Sequence, residues 1–267
     1  MQAWNERTVN RASLRGEPAA EDGMGPVRNG VPTAEDGMGP EGGRKVVAET
    51  ELAALDRQFD SEEPGPELAR RVIEWATGRF GSAVALACSF QDCVIVDLAA
   101  GVEPGIEVIF LDTGYHFPET LQFVDEVKRL YKLNLTITRP GDSAIGWPCG
   151  TQRCCEVRKI EPLMRAMEGK AAWITALKRC DSPTRSDIPI VSLDAKFAKV
   201  KINPLASWSD NDIAAYIDQA GLPVHPLTVR GYPSIGCAPV TAAVEKGAHP
   251  RSGRWAGTGK TECGLHA

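Results

Sequence analysis

No run of apolar residues in this 267-residue chain approaches the roughly 20 needed to span a bilayer. No apolar h-region follows the start either, so neither membrane insertion nor secretion is expected. A surplus of positive charge is also missing: 30 Lys+Arg face 35 Asp+Glu, a net charge of −5. Without a global basic field, neither nucleic acid nor an anionic membrane is expected as a partner. What remains is ordinary globular composition, 43% hydrophobic and 24% charged, enough for one large domain or two small ones.

Cysteine, by contrast, is plentiful: Cys88, Cys93, Cys149, Cys154, Cys155, Cys180, Cys237 and Cys263. A small secreted scaffold uses such a number as disulfides, but this chain is too large to need them and shows no signal peptide. The cysteines therefore point to a reducing compartment, with thiols serving metal binding, catalysis or the core. Cytoplasm is the expected location. Arg7, Arg11 and Arg15 add a faint transit-peptide pattern that would direct the chain to a plastid stroma instead, against which the acidic repeat described next argues.

The composition changes near residue 45. Residues 1–45 hold 8 Gly and 4 Pro, and the heptapeptide from Ala20 to Pro26 returns from Ala34 to Pro40. So polar and Gly-rich a segment buries too little apolar surface to offset its ordering entropy, so a disordered tail is expected. From Val46 the pattern becomes regular, and 46–240 is expected to be the folded domain, with 241–267 a C-terminal segment.

Within that domain, helical spacing covers Ala48 to Phe59 and Glu67 to Phe80, with Leu68, Val72 and Trp75 on one face. Strands are expected at Ala83–Cys88, Glu107–Leu111, Leu133–Thr138, Ala171–Thr175 and Ile188–Ser192. Helices are expected at Glu119–Tyr131 and Cys155–Met167. Ser89-Phe-Gln-Asp92 and Ser209-Asp-Asn-Asp212 spell capping boxes, opening helices that run to Ala100 and Ala220. Such alternation predicts an α/β fold with a largely parallel sheet flanked by helices. Ligands of such sheets lie beyond the carboxyl ends of the strands.

Two loops leave those ends, Ser89 to Asp92 and Asp112 to Pro118. In the first, a helix N-terminus at Phe90–Gln91 would offer N–H groups to a phosphate. In the second, Asp112 can accept hydrogen bonds from a ribose and Gly114 allows close backbone approach, although the same letters also spell a plain turn. Three basic groups gather near cysteines and strand ends: Arg153, Arg158 and Lys159; Lys178, Arg179 and Arg185; Arg251, Arg254 and Lys260. An acidic protein so arranged suits a small polyanion, with solvated surface charge as the plain alternative. The end of the chain is the most unusual feature. Cys263 has Lys260 and His266 close by, which favours a nucleophilic thiolate, and Gly253, Gly257 and Gly259 would let the tail swing.

The chain resembles the sulfonucleotide reductases, the adenylyl-sulfate and phosphoadenylyl-sulfate reductases. The matching stretches are Ser89-Phe90, Leu111 to Thr120, Cys154 to Leu163, Lys178 to Arg185, Asn203-Pro-Leu205, Arg230 to Pro239, Arg251 to Trp255 and Glu262-Cys-Gly-Leu-His266, in family order. The resemblance implies an adenine nucleotide α-hydrolase-like, Rossmann-like fold with a mobile C-terminal tail. The implied activity is thiol-dependent reduction of adenosine 5′-phosphosulfate to sulfite and AMP, in assimilatory sulfate reduction. By the same analogy Ser89, Phe90, Asp112, Thr113 and Gly114 lie in the adenosine and ribose region. Lys159, Arg179, Arg251, Arg254 and His266 hold substrate, and Cys263 is the catalytic nucleophile. The reductant is expected to be a separate thioredoxin or glutaredoxin-like dithiol, since the chain ends at Ala267. A homo-oligomer is compatible with the resemblance.

One departure concerns a cofactor. The branch that uses the non-3′-phosphorylated substrate carries a 4Fe–4S cluster on a Cys-Cys pair and a later Cys-x-x-Cys. Here Cys154, Cys155 and Cys237 match, but position 240 is valine, which supplies no thiolate. Three outcomes stay open: another donor such as Cys149 or Cys180 substitutes, the cluster is incomplete and labile, or there is none. The alternatives to the main reading are a phosphoadenosine phosphosulfate reductase without a cluster and a non-catalytic thiol or metal redox sensor. A sensor would not need Arg251, Arg254 and a thiol at the extreme tail. An ATP-cleaving adenylating enzyme would want a Gly-rich loop, and Ser89 to Cys93 contains no glycine.

Overall fold

The computed structural model describes residues 47–256, 260 and 262–265. The expected disordered tail over 1–45, together with Gly257, Gly259 and His266, lies outside the described residues. Two helices lead in: α1 (Glu49–Asp60) and α2 (Pro66–Phe80). Pro66 starts α2 at a position that needs no N–H, and Leu68, Ala69, Val72, Ile73 and Ala76 form its buried stripe. Trp75 is only partly buried, edge-on to Phe59 and Phe80.

The sheet then builds through β1 (Val84–Ala87), α3 (Val94–Val102), β2 (Glu107–Leu111), α4 (Pro118–Tyr131) and β3 (Asn134–Thr138). A helical segment follows, comprising α5 (Gln152–Cys155), a π-turn at Glu156–Ile160 and α6 (Glu161–Ala166). The remaining elements are β4 (Ala172–Ile174), β5 (Val191–Asp194), β6 (Lys199–Ile202) and α7 (Asp210–Ala220). The six strands run in the order β3-β2-β1-β4-β6-β5, all parallel except β5 against β6. Short, fully apolar β1 and β4 pair at the centre, Ala85 opposite Trp173 and Leu86 opposite Ile174, as strands covered on both faces require. Connections leave β1 toward β2 on one side, while β4 lies on the other. The switch point is therefore at the carboxyl ends of β1 and β4, where an open α/β sheet binds its ligand. No helix among the described residues is long and apolar enough to cross a membrane.

Ser89 does not cap a helix. α3 begins only at Val94, with Cys93 at its N-cap and Val94 N–H donating to Asp92 Oδ1 at 3.0 Å. The cause is Phe90, fully buried with φ of 55°. A left-handed backbone there costs about 1–2 kcal/mol. Burying the ring returns roughly 1.5–3 kcal/mol, and its edge-on contact with Phe110 at 5.6 Å adds about 0.5–1.5 kcal/mol. Packing wins, and no helix N-terminus forms at Phe90–Gln91.

The strand expected at Ile188–Ser192 is displaced to Val191–Asp194. Pro189 cannot donate to a ladder, and the N–H groups of Ile190 and Val191 are taken by Asp56 Oδ1 at 2.7 and 3.2 Å. Its partner β6, Lys-Val-Lys-Ile, escapes notice because its charged positions alternate with only two apolar ones. The helix expected from Cys155 starts earlier, at Gln152, where Thr151 Oγ1 accepts from Cys154 N–H.

One buried histidine couples this fold to pH. His225 is 1% exposed; its Nδ1 accepts from Leu227 N–H at 3.1 Å, so Nε2–H donates to Thr120 Oγ1 at 3.0 Å. A second proton on Nδ1 would break the first of these bonds. Burial pulls the His225 pKa down to about 4, from 6.5, although nearby Glu119 opposes the shift. The unfolded chain therefore binds the extra proton first, and His225 contributes stability above pH 6.5 that is lost as pH falls toward 4. Between pH 7 and pH 5 the loss is on the order of 1–2 kcal/mol. Chemical denaturation at pH 7 and pH 5 should show wild type losing more midpoint than His225→Gln; equal losses would remove His225 as the cause.

Candidate active site

A cavity of about 210 Å³ opens at the switch point, walled by the ends of β1, β2 and β4, the segments around 233–237 and 249–255, and the tail. Ser89, Phe90 and Thr113 line it, as do Lys159, Arg251, Arg254 and Cys263. Asp112, Gly114 and Arg179 do not. Asp112 accepts from Gly114 N–H, as in a turn, and pairs with Arg139 at 2.9 Å. Arg179 points to Asp60 at 2.6 Å, with its Nε donating to the Ile188 carbonyl, and so ties the sheet to α1. Arg185, not Arg179, lines the cavity wall.

The cations around the cavity differ in what already neutralises them. Lys178 pairs with Asp181 at 3.0 Å and Asp210 at 2.5 Å. Arg185 bonds Asp181 and, through two nitrogens, both oxygens of Glu262 at 2.7 and 2.8 Å. Arg251 shares the same Glu262 at 3.3 Å. Arg254 has no carboxylate partner among the described residues. It reaches Ser234 Oγ at 3.2 Å, lies 4.6 Å over the Trp255 ring, and its buried Nε is unsatisfied. Gly236 makes its place, since a Cβ there would overlap the guanidinium. Burial and Arg251 lower the Arg254 pKa, with the Cys263 and Cys237 sulfurs opposing. An enclosed cation short of counter-charge favours an anion at this spot.

Cys263 lies beside it, 8% exposed, with Lys159 Nζ donating to its Sγ at 3.2 Å. The Cys155 thiol also donates to Cys263 Sγ and holds its pKa well below the ordinary thiol value; burial opposes, and Lys159 and Leu265 N–H assist. Desolvation works against the Lys159 ammonium, but Cys263, Cys237 and Cys155 outweigh it and raise its pKa. Cys263 is thus set beside a lysine in the cavity wall that favours its thiolate form. Lys260, expected beside Cys263, instead donates to Cys155 Sγ at 3.1 Å.

A smaller cavity adjoins, lined by Cys149, Cys154, Cys155 and Cys237 with Lys159, Arg158, Arg254 and Val240. Its donor chemistry, four thiols among three cations, fits an iron–sulfur group better than a hard cation. Cys149 donates to Cys237 and, against burial, draws the Cys237 pKa down to about 5, with Lys159 and Thr113 adding.

Sequence reasoning missed the roles of Glu262, Arg185 and Trp255. The signal for Glu262 was its place next to Cys263; its partner Arg185 lies 77 residues away and could not be read from spacing.

Residues 82–243 match the family model described as the phosphoadenosine phosphosulfate reductase domain. The adenosine 5′-phosphosulfate reductase of Mycolicibacterium smegmatis is 45% identical over 207 residues, spanning 74% of this chain and 88% of that protein. The protein of the same name from Rhodococcus opacus is 45% identical over 218 residues, with the same coverage. Among solved structures, the phosphoadenylyl-sulfate reductase of Candida auris in complex with phosphate superposes with a TM-score of 0.64 at 25% identity, covering 76% of this chain and all of that one. An FMN adenylyltransferase of Candida glabrata reaches 0.52 at 14% identity over 74% of this chain and 76% of its own, a likeness of fold alone.

Proposed function

The chain belongs to the sulfonucleotide reductase family, and on that premise we propose that it reduces adenosine 5′-phosphosulfate to sulfite and AMP with Cys263 as the nucleophile. The observation that carries this reading is the Cys263 Sγ, 3.2 Å from Lys159 Nζ in the wall of a cavity at the sheet's switch point that Arg254 also lines. Sulfate sulfur resists anionic attack because its oxygens repel the incoming charge. Lys159, Arg254 and Arg251 offset that repulsion and brace the phosphate of the leaving group. Cys263 Sγ then forms a bond to sulfur as the sulfur–oxygen bond to AMP breaks, and AMP leaves with the electron pair. The product is Cys263–S–SO₃⁻. A dithiol attacks Cys263 Sγ, sulfite leaves with the S–S electrons, and the second thiol of the reductant resolves the mixed disulfide. Free thiols throughout the chain suit the reducing compartment this chemistry requires.

Substrate choice follows the relatives' names and the state of the cations. Ser89 and Phe90 mark the nucleoside side, where Lys178 is already taken by Asp181 and Asp210. A 3′-phosphate would find no spare cation there among the described residues. Cys154, Cys155 and Cys237 would hold a 4Fe–4S cluster, which when bound supplies a delocalised charge beside Lys159. The test is sulfite and AMP release with a thioredoxin-type reductant, comparing the two sulfonucleotides. Preference for the 3′-phosphorylated form would overturn the assignment of substrate.

Cys263 is too enclosed here for a protein dithiol to reach, so the tail must leave its seat once per turnover. Glu262 is the clasp: Arg185, Arg251 and the Cys263 N–H all converge on its carboxylate. Burial opposes its charge, yet Arg185 and the other donors keep its pKa below the usual carboxylate range. Charge-assisted bonds of this kind are worth about 1.5–3 kcal/mol. Glu262→Gln should therefore speed alkylation of Cys263 by iodoacetamide by roughly tenfold or more. An unchanged rate would mean that the clasp does not set tail release.

A further inference from the structure

We propose that Cys149 is the fourth thiolate of the cysteine cavity, completing with Cys154, Cys155 and Cys237 a ligand set for a 4Fe–4S cluster that Val240 leaves one donor short. The proposal rests on the family reading for the identity of the group, and on this chain's own geometry for the ligand. Cys149, Cys154, Cys155 and Cys237 line one small cavity, with Lys159 and Val240 beside them.

The backbone around Cys149 is built to keep it there. Thr151 Oγ1 donates to the Pro148 carbonyl at 3.0 Å and accepts from Cys154 N–H at 3.1 Å, tying the segment before α5 to the cysteine pair. Gly150 has φ of 97°, a left-handed turn natural to glycine, and a Cβ at that position would come within 3.1 Å of Val240 Cγ1. The Cys149–Gly150 turn is thereby pressed onto the residue that lacks the donor, and its thiol faces the same space.

The remaining cysteines are poorly placed. Cys180 is exposed and donates to the Trp208 carbonyl at 3.4 Å, near Asp210. Cys88 lines the main cavity and accepts from Phe90 N–H, and Cys93 donates to the Pro223 carbonyl, away from the small cavity. Cys263 is the nucleophile. Nor are the four sulfurs gathered for a single ion: among the described residues the set of three donors lying within 4.8 Å of one another is Cys180, Asp181 and Asp210. A broader spread suits a polynuclear centre, each iron taking one thiolate.

The experiment is anaerobic reconstitution of the full chain with ferrous iron and sulfide, read by iron and labile-sulfide content and by Mössbauer or EPR spectra. Wild type and Cys180→Ser should load stoichiometrically. Cys149→Ser should lose the four-thiolate spectrum and shorten the cluster's lifetime in air by about tenfold or more. Adding Val240→Cys to Cys149→Ser should restore both. Loading of wild type should also shield Cys149, but not Cys180, from iodoacetamide, a readout that needs no variant to fold. AMP binding measured on every variant reports the nucleotide site separately, so loss of the cluster is distinguishable from failure of the functional reading. A cluster unchanged in Cys149→Ser, Cys149 still alkylated in loaded protein, or wild type that takes up no iron would each overturn the proposal.

Discussion

Incubated with adenosine 5′-phosphosulfate and no reductant, the reduced protein is expected to gain the mass of one SO₃ group, and Cys263→Ser to gain none. The physical reason is a division of labour within a few ångströms. Lys159 supplies the charge that favours Cys263 as a thiolate, at 3.2 Å. A serine hydroxyl is far less acidic than a thiol, and nothing in the cavity acts as a base strong enough to ionise it. Turnover should fall by roughly four orders of magnitude or more, as when an enzyme loses its nucleophile. Dithiol addition should discharge the adduct as sulfite in wild type. An adduct of the same mass in Cys263→Ser would move the nucleophile elsewhere, with Cys155, packed against Cys263, the first to inspect.

How much of this was legible beforehand divides along physical lines. The parallel sheet could be read because β1, β2 and β4 are short apolar runs whose burial needs no partner to be named. Once the alternation of strands and helices was in hand, the position of the cavity followed from topology. Local chemistry misled where tertiary packing had the larger stake. Ser89 has the letters of a cap, but burial of Phe90 outweighs what a cap offers. Pairing of charges was the least legible. Arg179 and Arg185 stand six residues apart in one basic group, yet Asp60 from α1 claims the first and Glu262 from the tail claims the second. The nearby Asp181 stands beside both and does not separate them in sequence, and the partners that do lie more than 70 residues away. Cys149 is an intermediate case: it could be nominated from the thiols in the sequence, and only the fold, which seats it in the small cavity and leaves Cys180 exposed, separates the two.

That contrast among arginines sets up the second large effect. Arg254→Ala should lower kcat/KM for adenosine 5′-phosphosulfate by about 10²–10³, the range seen when one preorganised donor to a developing anion is removed. Arg254 qualifies because it is held in place by Ser234 and the Trp255 ring while no carboxylate consumes its charge among the described residues. Arg179→Ala should instead cost stability with little change in kcat/KM per folded molecule, since its partners are Asp60, Ser207 and the Ile188 carbonyl. Arg57→Ala, on the exposed face of α1, should change neither. Steady-state kinetics on the three variants, with denaturation midpoints for each, decide the matter. Equal and small effects of Arg254 and Arg57 would remove Arg254 from the anion site and leave Lys159 and Arg251 as its cations. A kinetic loss in Arg179→Ala without a stability loss would mean that the cavity reorganises on binding substrate and draws Arg179 in. A fall in kcat with KM unchanged in Arg254→Ala would place its interaction in the transition state, where charge builds on the departing AMP phosphate and an uncompensated guanidinium has the most to stabilise.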